Sequence, residues 1–145
     1  MYEIERSYII DGRAVAWARP RCNKGRFYDS QEQEKENFKW ELRRQKALMF
    51  YGAVKMEIEF IMPIPSYTKK KVMETVAKPH NKRPDLDNLV KFVLDACLGI
   101  LYEDDNIVCE IVARKIYGLV PCTRITIGEI DVGTKEERGG EPNSI

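Results

Sequence analysis

Val54, Met56, Ile58, Phe60 and Met62 alternate with Lys55, Glu57 and Glu59. A period of two puts each set on its own face of a pleated ribbon, so residues 54–62 read as a half-buried strand that Pro63 and Pro65 stop. Looser alternation over residues 2–10, closed by the Asp11-Gly12 turn signal, reads as a first strand. Residues 107–117 and 123–130 are β-rich runs divided by a turn at 118–121. Elsewhere the period changes. Phe38, Leu42 and Leu48 or Met49 stand near helical spacing, and Ser30 with Gln33 has the form of a capping box, so residues 31–50 read as a helix ended by Gly52. Pro84 disfavours the helical conformation for Arg83, so a second helix opens at Asp85 or Asp87 and runs to Gly99. Leu89, Phe92, Val93 and Ala96 supply its buried stripe. Residues 13–29 read as an extended loop or hairpin, and residues 66–83 as a mobile basic loop with room for a helical turn. The pattern predicts an α+β fold: a single domain over residues 1–130, a mixed β-sheet packed against two main helices, and a disordered tail over residues 131–145.

Composition narrows the setting. A chain of 145 residues with 43% hydrophobic content can bury roughly 70% of its unfolded surface, so it needs no staples. No segment approaches the run of about 20 apolar residues that spans a membrane, and the N-terminus lacks the basic region and cleavage site of a signal peptide. The expectation is a cytoplasmic protein with no membrane partner. Cys22, Cys97, Cys109 and Cys122 are scattered and accompany a single histidine, His80, which argues against structural zinc and for buried, reduced thiols.

Net charge is only +1, but its distribution is uneven. Between Gly12 and Phe27 stand Arg13, Arg19, Arg21, Lys24 and Arg26 with no acid. Between Ser66 and Arg83 stand Lys69, Lys70, Lys71, Lys78, Lys82 and Arg83 against one acid, Glu74. Solvated loops look similar, yet two basic runs beside an acidic cluster suit a surface that tracks phosphates around a metal site.

The acidic cluster is the most informative stretch. Asp85 and Asp87 fall where a helix begins, and capping alone would explain them. Asp87, Lys91 and Asp95 share one helical face, which a row of surface ion pairs would also explain. Asp104 and Asp105 add acids after the helix, where a return loop is expected to bring them beside its start. Two carboxylates about 4 Å apart repel by roughly 1–4 kcal/mol. A hard divalent cation offsets that repulsion, and all-oxygen ligation selects Mg²⁺ or Mn²⁺ over zinc. A calcium-binding EF-hand loop fails because its sixth position, Val90, should be glycine. With one histidine, no Ser/His/Asp arrangement is plausible either, which leaves metal-assisted hydrolysis.

At these residues the chain resembles the RusA family of Holliday junction resolvases. The likeness rests on Lys82-Arg83-Pro84-Asp85-Leu86-Asp87-Asn88-Leu89-Val90-Lys91, then Asp95-Ala96, then Asp104-Asp105-Asn106-Ile107, then Lys115. Ala18-Arg19-Pro20-Arg21, Gly25-Arg26-Phe27-Tyr28 and Pro63-Ile64-Pro65 also match, and the resemblance covers about residues 5–130. It implies a homodimeric, Mg²⁺-dependent endonuclease, with Mn²⁺ able to substitute, that resolves four-way DNA junctions in recombination and repair. It assigns Asp85, Asp87 and Asp105 as metal-binding catalytic carboxylates and Lys91 as the essential lysine. Asn88, Asp95, Asp104 and Lys115 are candidates for supporting those groups, with Asp95 placed to pin Lys91. Arg19, Arg21, Lys24, Arg26, Lys69, Lys70, Lys71 and Lys82 are the expected DNA contacts. A nuclease of broader specificity and a non-catalytic DNA-binding module remain the rival readings.

Overall fold

A computed structural model of the chain describes residues 4–65 and 68–130. In chain order the elements are β1 (Glu5–Asp11), β2 (Arg21–Asn23), β3 (Arg26–Tyr28), α1 (Glu32–Arg44), β4 (Val54–Pro63), α2 (Lys69–Thr75), α3 (Leu86–Ala96), a 3-10 turn (Asp105–Ile107), β5 (Val108–Gly118) and β6 (Cys122–Glu129). Four strands form one mixed sheet in the order β1-β6-β4-β5. Strand β4 runs parallel to β5 and antiparallel to β6, so Ile58 lies between Ala113 and Ile125. The parallel pair is possible because the connection carries α2 and α3, long enough for a crossover. The tail expected to be disordered, residues 131–145, lies outside the described residues.

The alternation along β4 does what a period of two requires. Val54, Met56, Ile58 and Phe60 are buried and Lys55 and Glu57 exposed. With Ile125 and Ile127 of β6, the buried set meets Phe38 and Leu42 of α1 and Leu89, Phe92, Val93 and Ala96 of α3. Phe38 and Phe92 cross edge to face at 6.0 Å between ring centroids and 75°, fastening the two helices across the sheet. Emptying such a site, as in Leu89→Ala, costs about 2–5 kcal/mol.

Several elements depart from the expectation. Helix α1 stops at Arg44, well before residue 50. Lys46 turns left-handed with φ 60°, and the Ala47 N–H donates back to the Leu42 carbonyl. The Gln45 side-chain amide then pairs with both the N–H and the carbonyl of Ile9, tying the helix end to β1. The Ser30–Gln33 capping box does not form. The helix begins after Gln31, whose N–H is accepted by Asp29 Oδ1, and the Gln33 side chain bonds Asn37 instead. Residues 13–29 contain a hairpin of β2 with β3, turning at Lys24 and Gly25 with φ of 53° and 78°. Both values suit the tight turn that matches strand twist.

The basic loop contains a short helix, α2, where room for a helical turn was expected, beside the two main helices α1 and α3. Thr68 caps α2 by accepting the Lys71 N–H. Beyond it, residues 77–80 pair with the outer edge of β5: Ala77 N–H donates to Tyr117, Tyr117 N–H to Lys78, and His80 N–H to Lys115. This covers the edge at residues 115–117, while among the described residues nothing pairs with it from Val108 to Arg114. Helix α3 ends at Ala96, earlier than Gly99, and Lys39 of α1 supplies the cap by donating to the Ala96 and Leu98 carbonyls. Cys97 and Cys122 are buried, but Cys22 and Cys109 are exposed, contrary to the expected burial; all four thiols are free. Burial pushes the Cys97 thiol up to about 12. Among the described residues no helix is long and apolar enough to cross a membrane.

Candidate active site at the start of helix α3

Pro84 leads into α3 through a cis Arg83–Pro84 peptide bond, and Asp85 takes the N-cap position with extended backbone. The capping account predicts that its carboxylate accepts a helix N–H. It accepts none. Asp85 is exposed, and among the described residues no Lys or Arg side chain pairs with Asp85, Asp87 or Asp105. Asp87, in the first turn, accepts only the adjacent Asn88 N–H, at 2.9 Å to Oδ1. These charges are favoured by the positive end of α3 yet keep their oxygens free for another partner.

Asp104 and Asp105 divide differently. Asp104 Oδ1 accepts the Asn106 N–H and caps the 3-10 turn, a local structural duty. Asp105 has no such engagement. The return loop does not bring it to the helix start, however. Tyr102 is buried, donates its hydroxyl to the Leu94 carbonyl in the last turns of α3, and senses the charges of both Asp105 and Asp95. Burial, followed by the neighbouring Cys97 and then those two charges, pushes the Tyr102 hydroxyl far above its ordinary range. Lys115, which contacts Pro84, lies seven residues beyond Val108, about 23 Å along β5. Asp105 therefore sits toward the C-terminal end of α3 and Asp85 with Asp87 at the other, separated by a helix about 16 Å long. The loop follows α3 back from its end and enters β5 before reaching the start.

Among the described residues, no three His, Cys, Asp or Glu side chains converge into a ready-made cage for a metal ion. The free oxygens of Asp85 and Asp87 still suit a hard cation. Mg²⁺ keeps several waters and is commonly held by one or two carboxylates together with substrate phosphate. The donor set therefore fits that group as an open site, not as a closed one.

The cations around this end are held in distinct ways. Lys115 of β5 donates to the Lys82 and Pro84 carbonyls, both at 2.7 Å, and so fixes the segment that delivers Asp85. Lys91, one turn beyond Asp87, is not pinned by Asp95 as expected. Lys35 of α1 takes Asp95 at 3.7 Å and Asp29 at 2.8 Å. The Lys35 hydrogen bond, with the Gln31 N–H, holds the Asp29 carboxyl below its usual range. Lys91 instead lies over the indole of Trp17, 3.7 Å from the ring centroid. The Asn88 side chain makes no hydrogen bond to Asp85 or Asp87 among the described residues; its backbone carbonyl accepts the Trp17 N–H at 2.9 Å.

Both basic segments are tethered to this end of α3, the first through Trp17 and the second through Lys115. Arg19, Arg21, Lys24 and Arg26 are exposed along the hairpin, where Phe27 and Tyr28 also face solvent. Lys69, Lys70 and Lys71 are exposed in the first turn of α2, and Lys82 beside Pro84. Trp17 and Gln31 escaped the sequence reading. They lie in or next to a stretch without periodicity, and a lone Trp there carries no signal of its partner.

The chain is 26% identical over 136 residues to the uncharacterized protein YqaN of Bacillus subtilis (strain 168), covering 85% of this chain and 95% of that protein. The model of the family described as endodeoxyribonuclease RusA matches residues 11–128, a span that holds Asp85, Asp87, Lys91, Asp105 and both basic segments. The chain belongs to the RusA endodeoxyribonuclease family.

Proposed function

We propose that the protein is a Mg²⁺-dependent, structure-specific endodeoxyribonuclease that resolves four-way DNA junctions, acting as a homodimer in recombination and repair. The observation that carries this reading is the pair Asp85 and Asp87: carboxylates at a helix start, the first accepting no helix N–H and the second only that of Asn88, one turn from a lysine that has no carboxylate partner among the described residues. A bound Mg²⁺, with Mn²⁺ as substitute, supplies Lewis-acid polarisation of the phosphate and a water of lowered pKa. Asp85 and Asp87 hold the ion from the protein side. Asp105 joins them only where a second copy, or a movement of the 97–107 loop, carries it to this end of α3. Lys91 donates to the phosphoryl oxygens as charge develops there. Arg19, Arg21, Lys24, Arg26, Lys69, Lys70, Lys71 and Lys82 bind phosphates on either side and orient the arms without reading sequence. Lys115 keeps Asp85 in place, and Asp104 shapes the turn before β5.

The deciding experiment is cleavage of a synthetic four-way junction with Mg²⁺ and with EDTA, beside duplex and flap substrates of the same sequence. Symmetric cuts in the junction alone, abolished by EDTA, are expected. Equal cutting of flaps would assign the broader specificity, and binding without any cutting would assign a non-catalytic module.

A further inference from the structure

We propose that Trp17 is a positioning residue for Lys91, its indole face holding the ammonium at the place from which it meets the scissile phosphate. The proposal rests on the reading of Lys91 as the charge-stabilising group, and adds a residue that lies far outside the acidic motif.

A lysine carries a solvated point charge on a flexible stem, and fixing it costs rotamer freedom. The usual anchor on a helix is a carboxylate four residues away. Neither of these residues pairs with Lys91 among the described residues: Asp95 lies against Lys35 at 3.7 Å, and the one bond that Asp87 accepts is the Asn88 N–H. The ammonium rests instead on a neutral ring at 3.7 Å. The difference has a chemical consequence. A carboxylate would neutralise the charge that the phosphate requires and compete with the phosphate for it. An indole attracts the cation through its negative face without cancelling the formal charge. The ammonium protons turned away from the ring stay available as donors.

Trp17 is itself held more firmly than a loop residue needs to be. Its backbone N–H donates to the Asn88 carbonyl on α3, one turn before Lys91. On either side, the buried Gln31 side chain donates to the Ala16 carbonyl at 2.7 Å and accepts the Ala18 N–H at 2.9 Å. Gln31 thus imitates a neighbouring strand, and fixes the backbone immediately before and after the tryptophan. The competing account is that Trp17 only closes the rim of the core, against which it also packs.

The test uses full-length protein and single-turnover cleavage of a synthetic four-way junction in Mg²⁺, with junction affinity measured in EDTA. Trp17→Leu keeps apolar bulk and removes the ring; Trp17→Phe keeps a weaker face. Trp17→Leu should lower the single-turnover rate about 3- to 30-fold with junction affinity unchanged. Trp17→Phe should recover part of that rate. In a Lys91→Ala background, Trp17→Leu should cause no further loss. Carbon-edited proton spectra should also show the Lys91 ε-methylene signals displaced by the ring current, and returned to ordinary positions in Trp17→Leu. A folded Trp17→Leu variant that cuts at the wild-type rate overturns the proposal. So does an undiminished loss in the Lys91→Ala background. If Trp17→Leu fails to fold, Trp17→Phe decides: an intermediate rate with displaced Lys91 signals supports the proposal, and undisplaced signals overturn it. Failure of the wild type itself to cut any junction would instead remove the reading of the site, on which the proposal stands.

Discussion

Lys115 donates to the carbonyl of Pro84, so a strand at the edge of the sheet holds the residue that precedes the first acid of α3. Its second bond, to Lys82, fixes the same segment from the other side of Arg83. Lys115→Met keeps the stem and removes both bonds. Unfolding stability should fall by about 1–3 kcal/mol, as for charged hydrogen bonds to the backbone. Cleavage should need more Mg²⁺ for half-maximal rate, because Asp85 is no longer delivered in one position. A magnesium titration of the cleavage rate checks this, and an unchanged midpoint would show that Asp85 holds its place unaided.

Neighbouring acids should respond differently to the same change. Asp87→Asn should abolish cleavage while junction binding persists, since a ligand charge is lost and repulsion of phosphate is relieved. Asp105→Asn should also abolish cleavage. Asp104→Asn should keep the cleavage rate, because its Oδ1 serves the Asn106 N–H and an amide oxygen can replace it. Rates of the three variants at saturating Mg²⁺ provide the comparison, and an inactive but folded Asp104→Asn would reverse the roles of the pair.

Salt dependence reports on the hairpin. Arg19 and Arg21 are exposed beside Trp17, on a segment anchored to the start of α3. Each phosphate contact removed should reduce the magnitude of the log–log salt slope by roughly 0.9 on duplex arms. Arg19→Ala/Arg21→Ala should therefore bind a junction with a flatter slope and an unchanged melting temperature. An unaltered slope in the folded double variant would move the DNA surface to α2 and Lys82.

The single histidine gives a pH prediction. His80 packs at a tilt of 57° against Tyr117, 4.9 Å between ring centroids, and its buried Nδ1 has no hydrogen-bond partner among the described residues. Burial, reinforced by the nearby Lys115 charge, lowers its pKa below the ordinary 6.5. As pH falls through 6.5 the unfolded chain takes up a proton that the folded chain still refuses, so this group subtracts stability in that window. Above 6.5 the ring is neutral in both states and contributes no pH dependence. Melting temperature should fall between pH 7 and pH 5.5 in the wild type, and this component should vanish in His80→Phe. Parallel pH curves for the two proteins would place the titration elsewhere.

Much of the fold was legible because β4 is buried on one face only from Val54 to Phe60, which leaves a clean alternation there, and because the stripe of α3 follows a single helical period. The end of α1 was not. Leu48 and Met49 kept nearly helical spacing, but the turn is made by the backbone of Lys46 and by Gln45 reaching Ile9, contacts between residues far apart in sequence. The same limit applied at the site. The acids at the helix start stand out as a short motif, whereas the partners of Lys91 and Asp95 come from residues 17 and 35 and depend on how two segments pack. The position of Asp105 depends on the path of a loop, and spacing says nothing about its direction.

The half-covered strand β5 carries a consequence for handling the protein. Residues 77–80 shield one stretch of its outer edge, while Ile111 and Val112 stand exposed on opposite faces of the open remainder. An exposed edge is a template for pairing with other chains, and charged neighbours are a common deterrent. Glu110 and Arg114 bracket the apolar pair and act as its gatekeepers. Replacing them with uncharged residues would leave the acids at the start of α3 untouched but make the protein prone to precipitate as its concentration rises.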